Sequence, residues 1–289
     1  MPARASPATP SRKTIDAAVR AALAEDLGRA GDITGQAVLP STATARATFN
    51  CRAPGIVAGL PLAEAAFRLA GPGLKFSAWV KDGDAVKARQ TIAEVSGNAR
   101  LLLAAERTAL NFLCHLSGIA TATQKFVAAV AGTRARISDT RKTIPGLRAF
   151  EKYAVRMGGG VNHRFGLFDA ILIKDNHIAV AGSVGKAVKA ALAHRGKAKF
   201  IEVEVTNLAE LAEALDAGAT EILLDNMSLA LLRRAAKLAA GKAKLEASGG
   251  ITLDNVSAIA ETGVDIISTS RITMGAAPLD IGLDIEIGG

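Results

Sequence analysis

A chain of 289 residues is long enough for one large domain or two of ordinary size, and at 49% apolar but only 4% aromatic its core must be built from Ala, Val, Ile and Leu. That usage suits a helix-covered parallel sheet and argues against an aromatic-rich β-sandwich. Lys and Arg number 35 against 27 Asp and Glu, so the net charge of +8 calls for an anionic partner, while one Trp, one Tyr and no basic run interleaved with aromatics argue against nucleic acid.

In chain order, Met1 to Lys13 is rich in Pro, Ala and basic residues without the apolar core of a signal peptide or membrane span. It could imitate a transit peptide, but its Pro content favours a disordered tail over residues 1–13. Ile15, Val19, Ala22, Leu23 and Leu27 recur at helical spacing, and Gly28 to Thr34 reads as a stop and a loop. Thr44 to Leu60 and Leu74 to Val95 alternate in short β-like runs broken by Pro54-Gly55, Gly71-Pro72-Gly73 and Lys81-Asp82-Gly83-Asp84, which predicts a small antiparallel sheet. Leu101 to Val130 returns to helical composition with an interruption near Ser117-Gly118, where a first domain of residues 14–117 is expected to end. Cys51 and Cys114 lie far apart with no Cys-x-x-Cys, against a disulfide framework or structural zinc and in keeping with a reducing cytoplasm.

Beyond that boundary short strands and amphipathic helices alternate, the signature of βαβ units. Six apolar runs read as strands: Ala135 to Ser138, Ala170 to Ile173, Phe200 to Val205, Glu221 to Leu224, Leu245 to Ala247 and Asp265 to Ser268. Helical segments separate most of them: Val184 to His194, Leu208 to Ala217, Leu229 to Ala240 and Asn255 to Thr262. A parallel barrel or doubly wound sheet over 118–275 follows.

Each of these strands ends in polar residues, and in a parallel barrel all those ends face one mouth, where active sites are built. Arg141 and Lys142 follow the first strand and Lys174 the second; His163 and Arg164 end the Gly158-Gly159-Gly160-Val161-Asn162 loop. So many cations in one place would repel one another without a multiply charged anion. Ser248-Gly249-Gly250 suits a phosphate, because glycines let backbone N–H groups approach it and a following helix can offer its N-terminus. Glu204 and Asp225 could hold ribose hydroxyls or Mg²⁺ carried on pyrophosphate. His115, His177 and His194 lack ligand spacing, and Cys114 reads as packing. Gly-x-Ser-x-Gly, P-loop and dinucleotide fingerprints are absent.

Six runs, taken in order, closely resemble the quinolinate phosphoribosyltransferase family: Ala24-Glu25-Asp26-Leu27-Gly28 to Gly31-Asp32-Ile33-Thr34; Glu106-Arg107-Thr108-Ala109-Leu110-Asn111; Asp139-Thr140-Arg141-Lys142-Thr143; Gly158 to Arg164; Leu172-Ile173-Lys174-Asp175-Asn176-His177; and Glu202-Val203-Glu204-Val205. The resemblance covers nearly the whole chain after the tail. It implies an N-terminal open-faced α/β sandwich, a C-terminal irregular α/β (TIM-like) barrel, and a C-terminal segment, 276–289, returning to the first domain. It further implies a cytoplasmic homodimer with a shared active site, with a hexamer as the larger alternative, no membrane partner, and phosphoribosyl pyrophosphate with Mg²⁺ as co-substrate. By the same resemblance Arg141, His163, Arg164 and Lys174 grip the quinolinate carboxylates, and Arg107 arrives from the neighbouring subunit. Lys142, Glu204 and Asp225 face phosphoribosyl pyrophosphate, Glu204 and Asp225 holding Mg²⁺ directly or indirectly. Thr140 joins the substrate-binding group, and Ser248, Gly249, Gly250 and the turn Ser268, Thr269, Ser270 lie near the 5′-phosphate. Lys142, Lys174, Glu204 and Asp225 are the expected catalytic set.

One stretch departs from the family. Where a Val-Gly pair and then Leu-Thr-His-Ser are usual, this chain has Thr269-Ser270 and Ile272-Thr273-Met274-Gly275, and Met274 cannot replace a His as phosphate donor. The alternatives are a paralogue of the molybdenum-transport type with another acceptor, and a non-catalytic dimer that binds anionic metabolites.

Overall fold

The computed structural model describes residues 10–287 as two units. One runs to Gln124 and adds Ile144–Gly159 and the segment from Ala276; the other takes Lys125–Thr143 and Gly160–Gly275. The expected tail lies outside the described residues over 1–9, whereas Arg12 and Lys13 are already helical. Ser11 caps that helix with its side chain, which accepts the Thr14 N–H at 3.2 Å.

The first unit opens with α1 (Arg12–Leu27), which buries Ile15, Val19 and Leu23 and stops at Gly28, whose φ of 52° favours glycine. The expected loop after it holds a short helix, α2 (Ile33–Val38), because the Asp32 side chain accepts the Gly35 N–H at 2.9 Å. Strands β1 (Thr44–Cys51) and β2 (Gly55–Ile56), helix α3 (Leu60–Ala70) and strands β3 (Lys75–Ala78), β4 (Ala85–Val86) and β5 (Thr91–Asn98) follow. On β1 the residues Ala45, Ala47, Phe49 and Cys51 alternate inward, so one face of the sheet is core. There Phe49 meets Phe67 of α3 and Phe76 of β3, each edge-on at 5.9 Å between ring centres.

Helix α4 (Ala99–Ala129) runs without the interruption expected at Ser117-Gly118. Those two residues serve neighbouring chain instead. Ser117 Oγ accepts the Ala58 N–H at 3.0 Å and donates to the Ala58 carbonyl at 3.1 Å. Gly118 lets the 277–278 segment cross so closely that an added Cβ would lie 2.2 Å from the Ala277 carbonyl oxygen. Gly118→Ala is therefore expected to cost about 1–3 kcal/mol through overpacking, read as a lowered thermal midpoint. Leu110 and Leu113 of α4 are buried, and Leu103 is half-buried. Strand β12, the last among the described residues (Ile281–Ile287), pairs antiparallel with β1 and completes a sheet of order β12-β1-β5-β3.

The second unit is built on six parallel strands: β6 (Arg136–Ser138), β7 (Ile171–Ile173), β8 (Ile201–Val205), β9 (Glu221–Asp225), β10 (Lys244–Ser248) and β11 (Ile266–Ser268). All six match the expected strands within a residue or two. Their order is β6-β11-β10-β9-β8-β7, a curved parallel sheet whose β6 edge is extended by Val161, bridged to Ser138. Helices α6 (Asp175–Ala181), α7 (Val184–Ala193), α8 (Leu208–Asp216), α9 (Leu229–Ala239) and α10 (Val256–Ala260) connect the strands. Helix α5 (Arg148–Met157) lies in the 144–159 segment, which groups with the first unit although the sequence pattern places it within the barrel domain. Among the described residues no helix is long and apolar enough to cross a membrane.

Candidate active site

Because the six strands are parallel, their carboxyl ends share one face, and there the structure sets the expected residues of this unit other than His163 and Arg164, which follow Val161 at its bridge to Ser138. Thr140, Arg141 and Lys142 follow β6, where Thr140 Oγ1 accepts the Lys142 N–H at 2.9 Å. Lys174 follows β7 and caps α6; its Nζ lies 2.6 Å from Glu204 Oε2 near the end of β8. Asp225 ends β9 beside Ser248, the last residue of β10, and its Oδ2 accepts from Asn226 Nδ2 at 2.9 Å. Gly249 has φ 92° and Gly250 φ 61°, so both need glycine, and a Cβ on Gly249 would lie 2.1 Å from Asn226 Oδ1. The helix after this turn does not begin at it. It starts at Val256 and has five residues, so the anion-binding capacity of the turn rests on its own backbone N–H groups. Ser268 ends β11, and the Thr269 N–H donates to the Ser138 carbonyl at 3.1 Å. Ser270 is half-buried, and Met274 is exposed.

Beneath the rim lies a buried charged layer. Arg164 is 6% exposed; Nη1 donates to the Ala170 carbonyl at 3.2 Å, and Nε has no hydrogen-bond partner among the described residues. Burial first, and then the neighbouring Arg141 guanidinium, pull Arg164 below the usual guanidinium range, while Glu202 and Asp169 oppose them. Such a group gains from any anion that reaches it. Asp169 accepts the Phe165 and Gly166 N–H groups at 3.0 and 2.9 Å and so fixes the loop that follows Arg164. Asp139, fully buried, accepts from Asn162 Nδ2 at 2.5 Å and from the His163 N–H at 2.8 Å, sewing the 161–163 segment to the end of β6.

His163 is placed differently from the expected carboxylate grip. Its ring is buried, with Nε2 2.8 Å from Glu202 Oε2 and 3.6 Å from Glu246 Oε1, and its Nδ1 accepts the Arg164 N–H at 2.8 Å. Ligand atoms of His163, Glu202 and Glu246 lie within 4.8 Å of one another, so these residues could hold a metal ion.

In the first unit Arg107 is exposed on α4. His115 Nε2 lies 3.1 Å from Glu151 Oε1, which also accepts the Ile144 N–H at 3.3 Å. Burial pushes the Cys51 thiol up to about 11 and raises that of Cys114, so both are packing groups and poor nucleophiles.

The sequence profiles of the two domains of quinolinate phosphoribosyltransferase match this chain, the N-terminal one over residues 32–117 and the C-terminal one over 119–284. The chain belongs to the quinolinate phosphoribosyltransferase family. It is 44% identical over 274 residues to a probable carboxylating nicotinate-nucleotide pyrophosphorylase of Synechocystis, covering 94% of this chain and 92% of that protein. Against the carboxylating nicotinate-nucleotide pyrophosphorylase of Mycobacterium leprae it is 45% identical over 276 residues, covering 92% and 95%. The nicotinate-nucleotide pyrophosphorylase structure from Francisella tularensis superposes with a TM-score of 0.91 at 42% identity, covering 96% of this chain and 98% of that one. For a quinolinate phosphoribosyltransferase family member, the sequence pattern named the rim together with His163 and Arg164, but gave no site role to the buried acids Glu202 and Glu246 beside them. Glu202 and Glu246 stand in mid-strand among apolar neighbours, and that was the available signal. Thr273, whose Oγ1 donates to the Lys142 carbonyl at 2.8 Å, gave none.

Proposed function

We propose that the chain transfers the phosphoribosyl group of phosphoribosyl pyrophosphate to quinolinate with loss of carbon dioxide, giving nicotinate mononucleotide and pyrophosphate, a step of de novo NAD biosynthesis. Support comes from family membership over both domains and from one observation above the rest: Arg164, buried beside Arg141, keeps an unused Nε donor at the foot of a cationic mouth. A planar acceptor with two adjacent carboxylates offers these guanidiniums anionic groups in the bidentate geometry that arginine favours.

In this reading Arg141, Arg164 and Lys174 hold the dicarboxylate, while Lys142, Glu204, Asp225 and the Ser248-Gly249-Gly250 and Ser268-Thr269-Ser270 turns hold the sugar phosphate. The ring nitrogen bonds to the anomeric carbon as the bond to pyrophosphate breaks. Carboxylates of Glu204 and Asp225 stabilise the positive charge that develops on the sugar, and Lys142 the negative charge on the leaving group. The carboxylate next to the glycosylated nitrogen then leaves as carbon dioxide, its electron pair remains on the ring carbon facing the positive nitrogen, and a proton replaces it. The hard oxygens of Glu204 and Asp225 suit Mg²⁺ brought in on the pyrophosphate, where it would offset leaving-group charge. Lys174, ion-paired to Glu204 at 2.6 Å, joins the two halves of the pocket.

This division gives Lys142→Ala and Asp225→Ala a distinct signature. Each should raise the KM for phosphoribosyl pyrophosphate by about 10-fold or more and leave quinolinate affinity nearly intact by calorimetric titration. Collapse of quinolinate affinity would show the division to be wrong.

The proposal extends to a cytoplasmic homodimer in which Arg107 enters the partner's pocket, a residue exposed on its own subunit and therefore able to serve another. As the test of the activity, the protein is incubated with Mg²⁺, phosphoribosyl pyrophosphate and quinolinate, and pyrophosphate and mononucleotide are followed together. Absence of both products, from protein shown to be folded, would end this reading.

A further inference from the structure

We infer that His163 is a positioning residue in its neutral Nε2–H form, held from behind by a buried carboxylate and holding in front the backbone of Arg164. Three distances carry this. The Arg164 N–H points at Nδ1 from 2.8 Å, so that nitrogen must keep its lone pair, and the ring proton is left for Nε2. Nε2 in turn lies 2.8 Å from Glu202 Oε2, the length of an N–H···O hydrogen bond. Two ligand atoms sharing a tetrahedral metal ion would stand about 3.3 Å apart, given metal–ligand bonds of roughly 2.0–2.1 Å. Glu246 Oε1 stands 3.6 Å from the same Nε2.

With both nitrogens committed and the side chain 6% exposed, His163 has no donor left for a substrate carboxylate. What it can do is fix the peptide from which the Arg164 side chain departs. The opposite side of that peptide segment is fixed by Asp139, which accepts the His163 N–H at 2.8 Å. The arrangement has a counterpart at the start of α6, where His177 Nδ1 accepts the Lys174 N–H at 3.0 Å. Each histidine thus holds the main chain of a cation assigned to the dicarboxylate.

This role presupposes that the pocket takes quinolinate, as proposed above, and two measurements separate the two ideas. In the first, a two-bond ¹⁵N–¹H correlation spectrum is recorded on the ligand-free, ¹⁵N-labelled wild-type chain at neutral pH. The ring missing from the His163→Asn spectrum should show one bare and one protonated nitrogen, the proton on Nε2. A doubly protonated ring, an Nδ1–H ring, or loss of the Nε2 proton signal on adding Zn²⁺ at protein concentration would overturn the inference whether or not quinolinate binds. The second measurement is calorimetric titration of quinolinate into His163→Asn and His163→Gln. Asn places its amide oxygen where Nδ1 stood and can still accept the Arg164 N–H; Gln reaches Glu202 but leaves that N–H unmet. Both variants should bind more weakly than wild type, with His163→Asn about tenfold tighter than His163→Gln, the effect of one buried N–H left without its acceptor. Equal losses, or the reverse order, in variants whose melting matches wild type would return His163 to the role of direct carboxylate ligand. Should wild type bind no quinolinate, the proposed function falls while the spectrum still decides the state of the histidine.

Discussion

Quinolinate should exceed nicotinate as acceptor by roughly 30- to 4,000-fold in kcat/KM, because a pocket built for two carboxylates is left with an unmatched cation when only one arrives. The penalty for stranding one partner of a desolvated charge pair is on the order of 2–5 kcal/mol. In this chain the cation at stake is Arg164, which is 6% exposed and carries an Nε donor with no hydrogen-bond partner among the described residues. Glu204 cannot substitute for the missing carboxylate, because its charge is already shared with Lys174 at 2.6 Å. Parallel steady-state assays with the two acids at fixed phosphoribosyl pyrophosphate measure the ratio. Comparable turnover would mean that the guanidiniums serve something other than a dicarboxylate.

The second large effect concerns Arg107. An exposed helix arginine is ordinarily a solvated surface group, and Arg107 is exposed on α4. If it completes the pocket of a second copy, Arg107→Ala and Lys174→Ala chains should each be nearly inactive alone, yet regain activity when mixed, since a heterodimer contains one pocket with both residues intact. Random exchange makes about half the dimers heterodimers, each with one good site of two, so roughly a quarter of wild-type activity should return. Subunit exchange is confirmed by mass spectrometry. No recovery after proven exchange would confine Arg107 to its own subunit or to no role.

Much of the fold was legible because its signals are local. The six barrel strands are short apolar runs closed by polar residues, and they reappear in the structure within a residue or two. The first-unit sheet shows in the alternation of Ala45, Ala47, Phe49 and Cys51. What could not be read depends on partners distant in sequence. Ser117-Gly118 looks like a helix stop, but α4 continues because Ser117 bonds the Ala58 backbone and Gly118 admits the 277–278 crossing. Residues 144–159 follow a barrel strand and so read as barrel, yet Glu151 ties the Ile144 N–H and His115 together within the first unit. In the candidate site the rim cations and acids were visible as residue types at strand ends. The neutral form of His163 was not, because it is fixed by Glu202 on another strand and by the Arg164 main chain.

If transfer and decarboxylation occur in one pocket, quinolinate labelled with ¹⁴C in the carboxylate adjacent to the ring nitrogen will show it. With Mg²⁺ and phosphoribosyl pyrophosphate, labelled carbon dioxide, pyrophosphate and nicotinate mononucleotide should form in a 1:1:1 ratio, and none should form when phosphoribosyl pyrophosphate is left out. Binding of labelled quinolinate without release of carbon dioxide, or pyrophosphate release without loss of the label, would contradict it.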